Sequence, residues 1–257
     1  EPYRRQRQMC IRDRNQGIRS KSGLNLKEAV VRQIILDEQK PGVRFIGKGV
    51  IIPQSTQLSV PFQAIYLRGV TVSVIKILEQ NIGQFLQSNN LDESGELMRV
   101  GRLIARKTIF LDEEGLDLSR WNTFAVDLKR LIEPEPGAIY RLELSFDRPL
   151  SAYPCGNDTV KISKEQILAS DEIRFKEESA RFDGGAYYYR QYDWSSYNWK
   201  EWNDPCSDSY YFNKVEGKNI LATNLGLVAL MGQDNDMTVL VHNIQNTCLL
   251  YTSPRPR

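Results

Sequence analysis

Residues 139–146, Ile-Tyr-Arg-Leu-Glu-Leu-Ser-Phe, alternate without a break: Tyr140, Leu142, Leu144 and Phe146 fall on one side, Arg141, Glu143 and Ser145 on the other. Successive side chains of an extended chain point to opposite faces, so a period of two predicts a strand with one face in a core and one in water. Pro136-Gly137 supplies the turn before it. The same period recurs where Val70, Val72 and Val74 alternate with Thr71 and Ser73, which predicts a second half-buried strand. Further strands are expected within 43–53, 97–111 and 121–128. Residues 218–230 and 237–244 read as a strand pair across the turn Gly-Gln-Asp-Asn-Asp. Many short strands between turn clusters predict a mainly β chain, an antiparallel β-sandwich of immunoglobulin-like architecture.

Helix signals are few. Residues 81–89 switch to helical spacing, with Ile82, Phe85 and Leu86 on one side and Asn81 as the cap. Within 25–42, Asn25 and Glu28 are spaced as a capping box and Pro41-Gly42 stops the run, yet Val30 to Leu36 fits a strand equally well. Residues 151–216 break the pattern as an aromatic-rich insertion. Tyr187, Tyr188, Tyr189, Tyr192, Trp194, Tyr197, Trp199, Trp202, Tyr210 and Tyr211 crowd its second half. Such rings either pack a loop poor in aliphatic residues, each polar tip finding a partner, or face outward to stack on a ligand. For the second role the candidates are Trp194, Trp199, Trp202, Tyr188 and Tyr192. A cation held by Asp183, Asp193, Asp204 and Asp208 is a third reading, although their spacing matches no EF-hand loop.

The two ends are of a different kind. Residues 4–14 hold five arginines and Cys10 without any apolar period, and their codons can be written as a transposase adaptor used in shotgun sequencing. Residues 248–253 match the reverse strand of the same adaptor. Residues 1–14 and 248–257 are therefore expected to be adaptor-derived tails and are set aside from fold reasoning. The whole chain carries 34 Lys+Arg against 32 Asp+Glu. Residues 4–14 and 248–257 contain seven of those arginines and Asp13, so without them 27 bases face 31 acids, a net of −4. The basic character resides in the tails, and no nucleic-acid partner is expected.

Few residues offer chemistry. Setting the tails aside leaves Cys155 and Cys206, each after a proline, which form one disulfide in an oxidising compartment or two buried thiols in a reducing one; the bridge is the reading taken. The one histidine, His242, lies in a strand pattern and has no second histidine to work with. No phosphate loop, nucleophile elbow or zinc spacing is present. No enzyme activity, cofactor or metal is expected.

Residues 83–112, 124–132, 135–146, 153–155, 171–178, 204–214 and 219–230 together resemble the amino-terminal region of bacterial alpha-2-macroglobulin family proteins, in particular the large Bacteroidetes-type forms. The resemblance runs from about residue 40 to residue 247. It implies a chain of macroglobulin-like β-sandwich domains on a periplasmic or cell-envelope protein, often lipid-anchored, that traps or inhibits proteases. Its partners would be target proteases, met by the full-length protein, and neighbouring macroglobulin-like domains. Any membrane attachment would come through an anchor outside these residues. Family members often carry a Cys-x-Glu-Gln thioester; here Ile77-Leu78-Glu79-Gln80 has isoleucine where the sulfur belongs. On this resemblance residues 15–63 close a preceding unit, 64–216 form one macroglobulin-like domain with its insertion at 151–216, and 217–247 open the next. The rival expectation is a carbohydrate-binding sandwich using residues 187–211.

Overall fold

A computed structural model describes residues 9–14, 19–25, 27–28, 30–35, 39–47, 51–52, 58–88, 94–112, 115–156, 162–183, 197–231, 236–243 and 248–252. The chain divides into two compact units, Glu1–Lys40 and Pro41–Arg257. In the first, β1 (Met9–Arg14) pairs antiparallel with β2 (Val30–Ile35), Met9 opposite Ile35 and Arg14 opposite Val30. Over residues 30–35 the strand alternative therefore holds over the helical one. Val30, Val31, Ile34 and Ile35 are β-branched and lose rotamer freedom in a helix, whereas Asn25 accepts from the Arg19 guanidinium across a β-bridge instead of capping.

The second unit is mainly β and largely antiparallel. Its strands are β3 (Gly42–Phe45), β4 (Ile51–Ile52), β5 (Ser59–Ile65), β6 (Gly69–Ile77), β7 (Gly101–Phe110), β8 (Asn122–Asp127), β9 (Ile139–Ser145), β10 (Val215–Ala222), β11 (Leu225–Met231), β12 (Met237–Asn243) and β13 (Cys248–Thr252). They form a five-stranded sheet in the order β4-β10-β9-β6-β7 and two three-stranded sheets, β3-β5-β8 and β11-β12-β13. The pairing of β4 with β10 is parallel. Strands β5 and β10 run across the boundaries expected at 63/64 and 216/217, because each is paired along its whole length within one sheet. Residues 9–14 and 248–252, set aside as tails, both lie in strands. Ladder hydrogen bonds come from the main chain and are indifferent to the origin of the codons.

The five-stranded sheet and β3-β5-β8 stack into the expected sandwich. Val60, Phe62 and Ala64 of β5 and Val126 of β8 meet Val70, Val72 and Val74 of β6, Tyr140, Leu142 and Leu144 of β9, and Ile220 of β10 in one continuous buried core. The alternation read in β6 and β9 thus places the expected residues inward. Pro136-Gly137 makes the expected turn into β9, with Gly137 at a φ of +77° that a side chain would strain.

The helices depart further from expectation. The short helix α1 (Ile82–Ser88) forms where expected and buries Phe85, but Leu86 is exposed and Asn81 closes a 3₁₀ turn, donating to the Val100 carbonyl. Residues Leu97–Val100, expected as strand, make the single turn α2. The largest correction lies inside the insertion: Lys164–Asp183 is a twenty-residue helix, α3, and Asp208–Tyr211 a further turn, α4. Ser163 and Gln166 cap α3 reciprocally, the Ser163 hydroxyl accepting from the Gln166 N–H at 3.3 Å and the Gln166 side chain from the Ser163 N–H at 3.1 Å.

Helix α3 lies along β7, the edge strand, and presents Ile167, Asp171, Phe175, Glu178 and Phe182 toward it at helical spacing. The Asp171 carboxylate takes the Thr108 backbone N–H at 2.8 Å, so α3 blocks an edge that would otherwise invite another chain. As a result β6 is buried on both faces, although its sequence reads as half-buried.

Candidate functional site

Two arrangements hold the polar and aromatic residues whose roles the sequence left open. The first is the second face of the five-stranded sheet. Arg141 and Glu143, expected in water, are nearly as buried as the core. The Arg141 guanidinium donates to Glu143 at 2.9 Å and to the Asn219 side chain at 3.2 Å. It lies against Gly217 of β10, where any Cβ would overlap it. Two strands away, Arg106 of β7 donates to both Glu178 oxygens at 3.0 and 3.1 Å and to Ser73 of β6 at 3.4 Å, with Asp171 3.8 Å from its Nε. Thr71 and Thr108 share a hydroxyl–hydroxyl bond of 2.9 Å. Each buried charge has its opposite, the condition under which a charged layer survives burial.

Beside this layer a cleft of about 370 Å³ opens between α3 and the residues after β9. Its polar lining is already engaged: Asp147 with Arg174, Asp171 with the Thr108 amide, and Thr71 with Thr108. The bond to Asp147 holds the Arg174 guanidinium above its ordinary pKa against the opposing effect of burial.

The second arrangement is residues 197–212, the described end of the aromatic insertion. Three turns follow one another at intervals of three, closed by backbone bonds from Glu201 to Asn198, Asp204 to Glu201 and Ser207 to Asp204. Asn198 and Asp204, each at the first place of a turn, accept from the N–H two residues on, at 3.1 and 2.9 Å. The Ser207 hydroxyl donates to Glu201 at 2.8 Å and accepts from the Ser209 N–H at 3.2 Å as α4 begins. The Cys155–Cys206 disulfide, with Cα atoms 5.4 Å apart, ties the third turn to the chain after β9. Both the expected bridge and its partners are present.

These turns sort the aromatics. Tyr210 and Tyr211 of α4 are buried, their hydroxyls donating to the carbonyls of Pro41 and Pro205, both at 2.7 Å. Burial, helped by Tyr211 alongside, pushes the Tyr210 hydroxyl up to about 12. Tyr197 packs between Trp199 and Phe212, 5.0 Å from each. Trp199 and Trp202 instead face solvent, at 72% and 53% exposure. Of the five candidate contact residues the structure thus brings these two into one loop, while Trp194, Tyr188 and Tyr192 lie outside the described residues.

The cation reading does not assemble. Asp204 is held by its own turn, Asp208 pairs with Arg148 at 3.2 Å, and Asp193 lies outside the described residues. Among the described residues no group of three or more His, Cys, Asp or Glu converges. His242 sits in β12 opposite Gly226. No described helix is long and apolar enough to cross a membrane.

The chain is therefore a mainly β protein built on an antiparallel sandwich with one flanking helix. No family model and no curated protein matches it. Among solved structures it is similar to native alpha-2-macroglobulin from Escherichia coli spanning domains MG0-NIE-MG1, at 11% identity and a TM-score of 0.44 over 95% of this chain. It spans 64% of that structure's length. A structure of the same protein spanning NIE-MG1 aligns at 12% identity and a TM-score of 0.43, covering 85% of this chain and 84% of its own. The cryo-EM reconstruction of its native conformation aligns at 10% identity and 0.43, and the chain spans 13% of it.

Proposed function

We propose that this chain is a non-catalytic structural segment of a larger bacterial cell-envelope protein of the alpha-2-macroglobulin type, one that traps or inhibits proteases. The observation that carries the reading is the centre of the five-stranded sheet, where β6 and β9 are buried on both faces, Arg141 pairs with Glu143 inside the sheet and Arg106 pairs with Glu178 of α3. Such a sheet resists bending, because every buried ion is held by a partner that movement would strip away. The extended likeness of residues 40–247 to macroglobulin-type sequences supports the same reading. The segment's part would be mechanical: a strut against which neighbouring macroglobulin-like domains move as the whole molecule closes on a protease. On this reading the protein works in the periplasm or cell envelope, where the Cys155–Cys206 bridge is stable. Attachment to the membrane would come through an anchor elsewhere in the protein.

The test uses the full-length product of the gene, incubated with trypsin. A trap leaves hydrolysis of a small peptide amide intact while digestion of casein falls. Unchanged casein digestion at a molar excess of the protein would remove the reading.

A further inference from the structure

We infer that α3 is a strap held to β7 mainly by charge, which lifts off while the sandwich beneath it stays folded. The helix runs antiparallel to the strand: Lys164 meets Asp112, Asp171 meets Thr108, Glu178 meets Arg106, and Phe182 joins Ile75 and Leu103. From Lys164 to Phe182 only Asp171 and Phe182 are buried, and the apolar Ile167 and Phe175 are half-buried. Leu168 and Ile173 face solvent, at 40% and 60% exposure. A helix docked by an apolar stripe hides its apolar residues along every turn, which α3 does not do. Its one buried apolar anchor is Phe182. The remaining hold is polar: Lys164 with Asp112 at 2.8 Å, the Thr108 N–H on Asp171 at 2.8 Å, Arg106 with Glu178 at 3.0 Å, and Arg174 with Asp147.

Two features lower the cost of opening. Ions that part into water recover the hydration they gave up on docking, whereas separated apolar surfaces recover nothing. The face uncovered is itself polar: Thr71 and Thr108 keep their mutual hydroxyl bond, and Ser73 and Arg106 exchange protein partners for water. The Arg141–Glu143 pair is made within β9 and is untouched when α3 lifts. Elements that open in this way, with few buried apolar contacts, form the least stable units of a domain. Asp171 meanwhile fills the place that the carbonyl of a neighbouring strand would take on the Thr108 N–H. Lifting α3 therefore frees the outer edge of β7 for pairing. The inference concerns α3 and β7 alone and holds whether or not the chain is a strut.

Native-state hydrogen exchange of the full chain, followed by NMR in low urea, tests the strap. The Thr108 amide belongs to a strand but is bonded to α3. It should exchange together with the amides of residues 168–178 and at least about tenfold faster than those of β9. Raising NaCl from about 0.05 to about 1 M screens the exposed Lys164–Asp112 and Arg174–Asp147 pairs. That should accelerate the group by about threefold relative to an unstructured peptide, with β9 unchanged. Arg106→Met, which strips the cation from Asp171 and Glu178, should accelerate it by about tenfold or more. The inference is overturned if Thr108 exchanges only with β9 in the global unfolding of the domain, if Thr108 and α3 respond differently to urea, or if salt leaves both unchanged. These three readings are made on the parent chain and stand even where Arg106→Met does not fold.

Discussion

Removing either partner of the Arg141–Glu143 pair leaves the other buried. Both side chains are about nine-tenths out of water, at 10% and 11% exposure, with Nε and Oε1 2.9 Å apart. At an effective dielectric of about 20 the attraction at that distance is of order 6 kcal/mol, most of it offset by the desolvation of the two ions. The single variants Glu143→Leu and Arg141→Leu should each therefore cost about 3–5 kcal/mol, a large part of the roughly 5–15 kcal/mol that holds a domain folded. The double variant replaces the pair by apolar groups on a face already closed over, and should lose less than about 2 kcal/mol. Urea unfolding followed by circular dichroism measures all three; with a slope near 2 kcal/mol per molar, each single variant moves the midpoint down by about 2 M. Additive behaviour, with the double variant losing about the sum of the singles, would show that the two side chains do not compensate one another. Single losses under about 1 kcal/mol would show that this face of the sheet is wet.

Three further outcomes follow from the same contacts. Replacing Cys155 and Cys206 by serine opens a loop of 51 residues and should cost about 4 kcal/mol, read as a lower urea midpoint that reductant no longer changes. Asp171→Ala strands the Thr108 N–H and uncovers the edge of β7, so stability should fall by about 1–3 kcal/mol and amide exchange should accelerate in α3 before it does in β9. Tyr210 is neutral in both states below its ordinary pKa near 10. The unfolded chain ionises first, so stability should decline as pH rises from about 10 to about 12. In Tyr210→Phe that part of the decline should vanish, at the cost of the bond to the Pro41 carbonyl, as thermal melts across the range would show.

The strand of residues 139–145 was legible because alternation is a local property: a period of two needs no knowledge of what lies opposite. It named the inward residues of β6 and β9 correctly and, with the turn residues, the antiparallel sandwich. The two prolyl-cysteine positions were legible for a similar reason, since a lone pair of thiols has one partner to choose. Helix α3 was legible in principle. Ser163 and Gln166 form a capping box, and apolar residues recur at 167, 175 and 182, but acids at 171 and 178 interrupt the stripe and make the helix read as solvated loop.

What the outer face of the sheet does could not be read locally. Arg141 and Glu143 carry the pattern of a solvated face. They are buried beside β10, and they tolerate burial because Asn219 and Gly217, more than 70 residues on, supply an acceptor and an absent side chain. The aromatic segment divides in the same way. Tyr210, Tyr211, Trp199 and Trp202 are alike in composition, and only the turns and the bridge decide that the tyrosines join the core while the tryptophans meet water. Sequence determined which residues could form strands; tertiary structure decided which charges and rings are hidden, because burial depends on what packs from elsewhere in the chain.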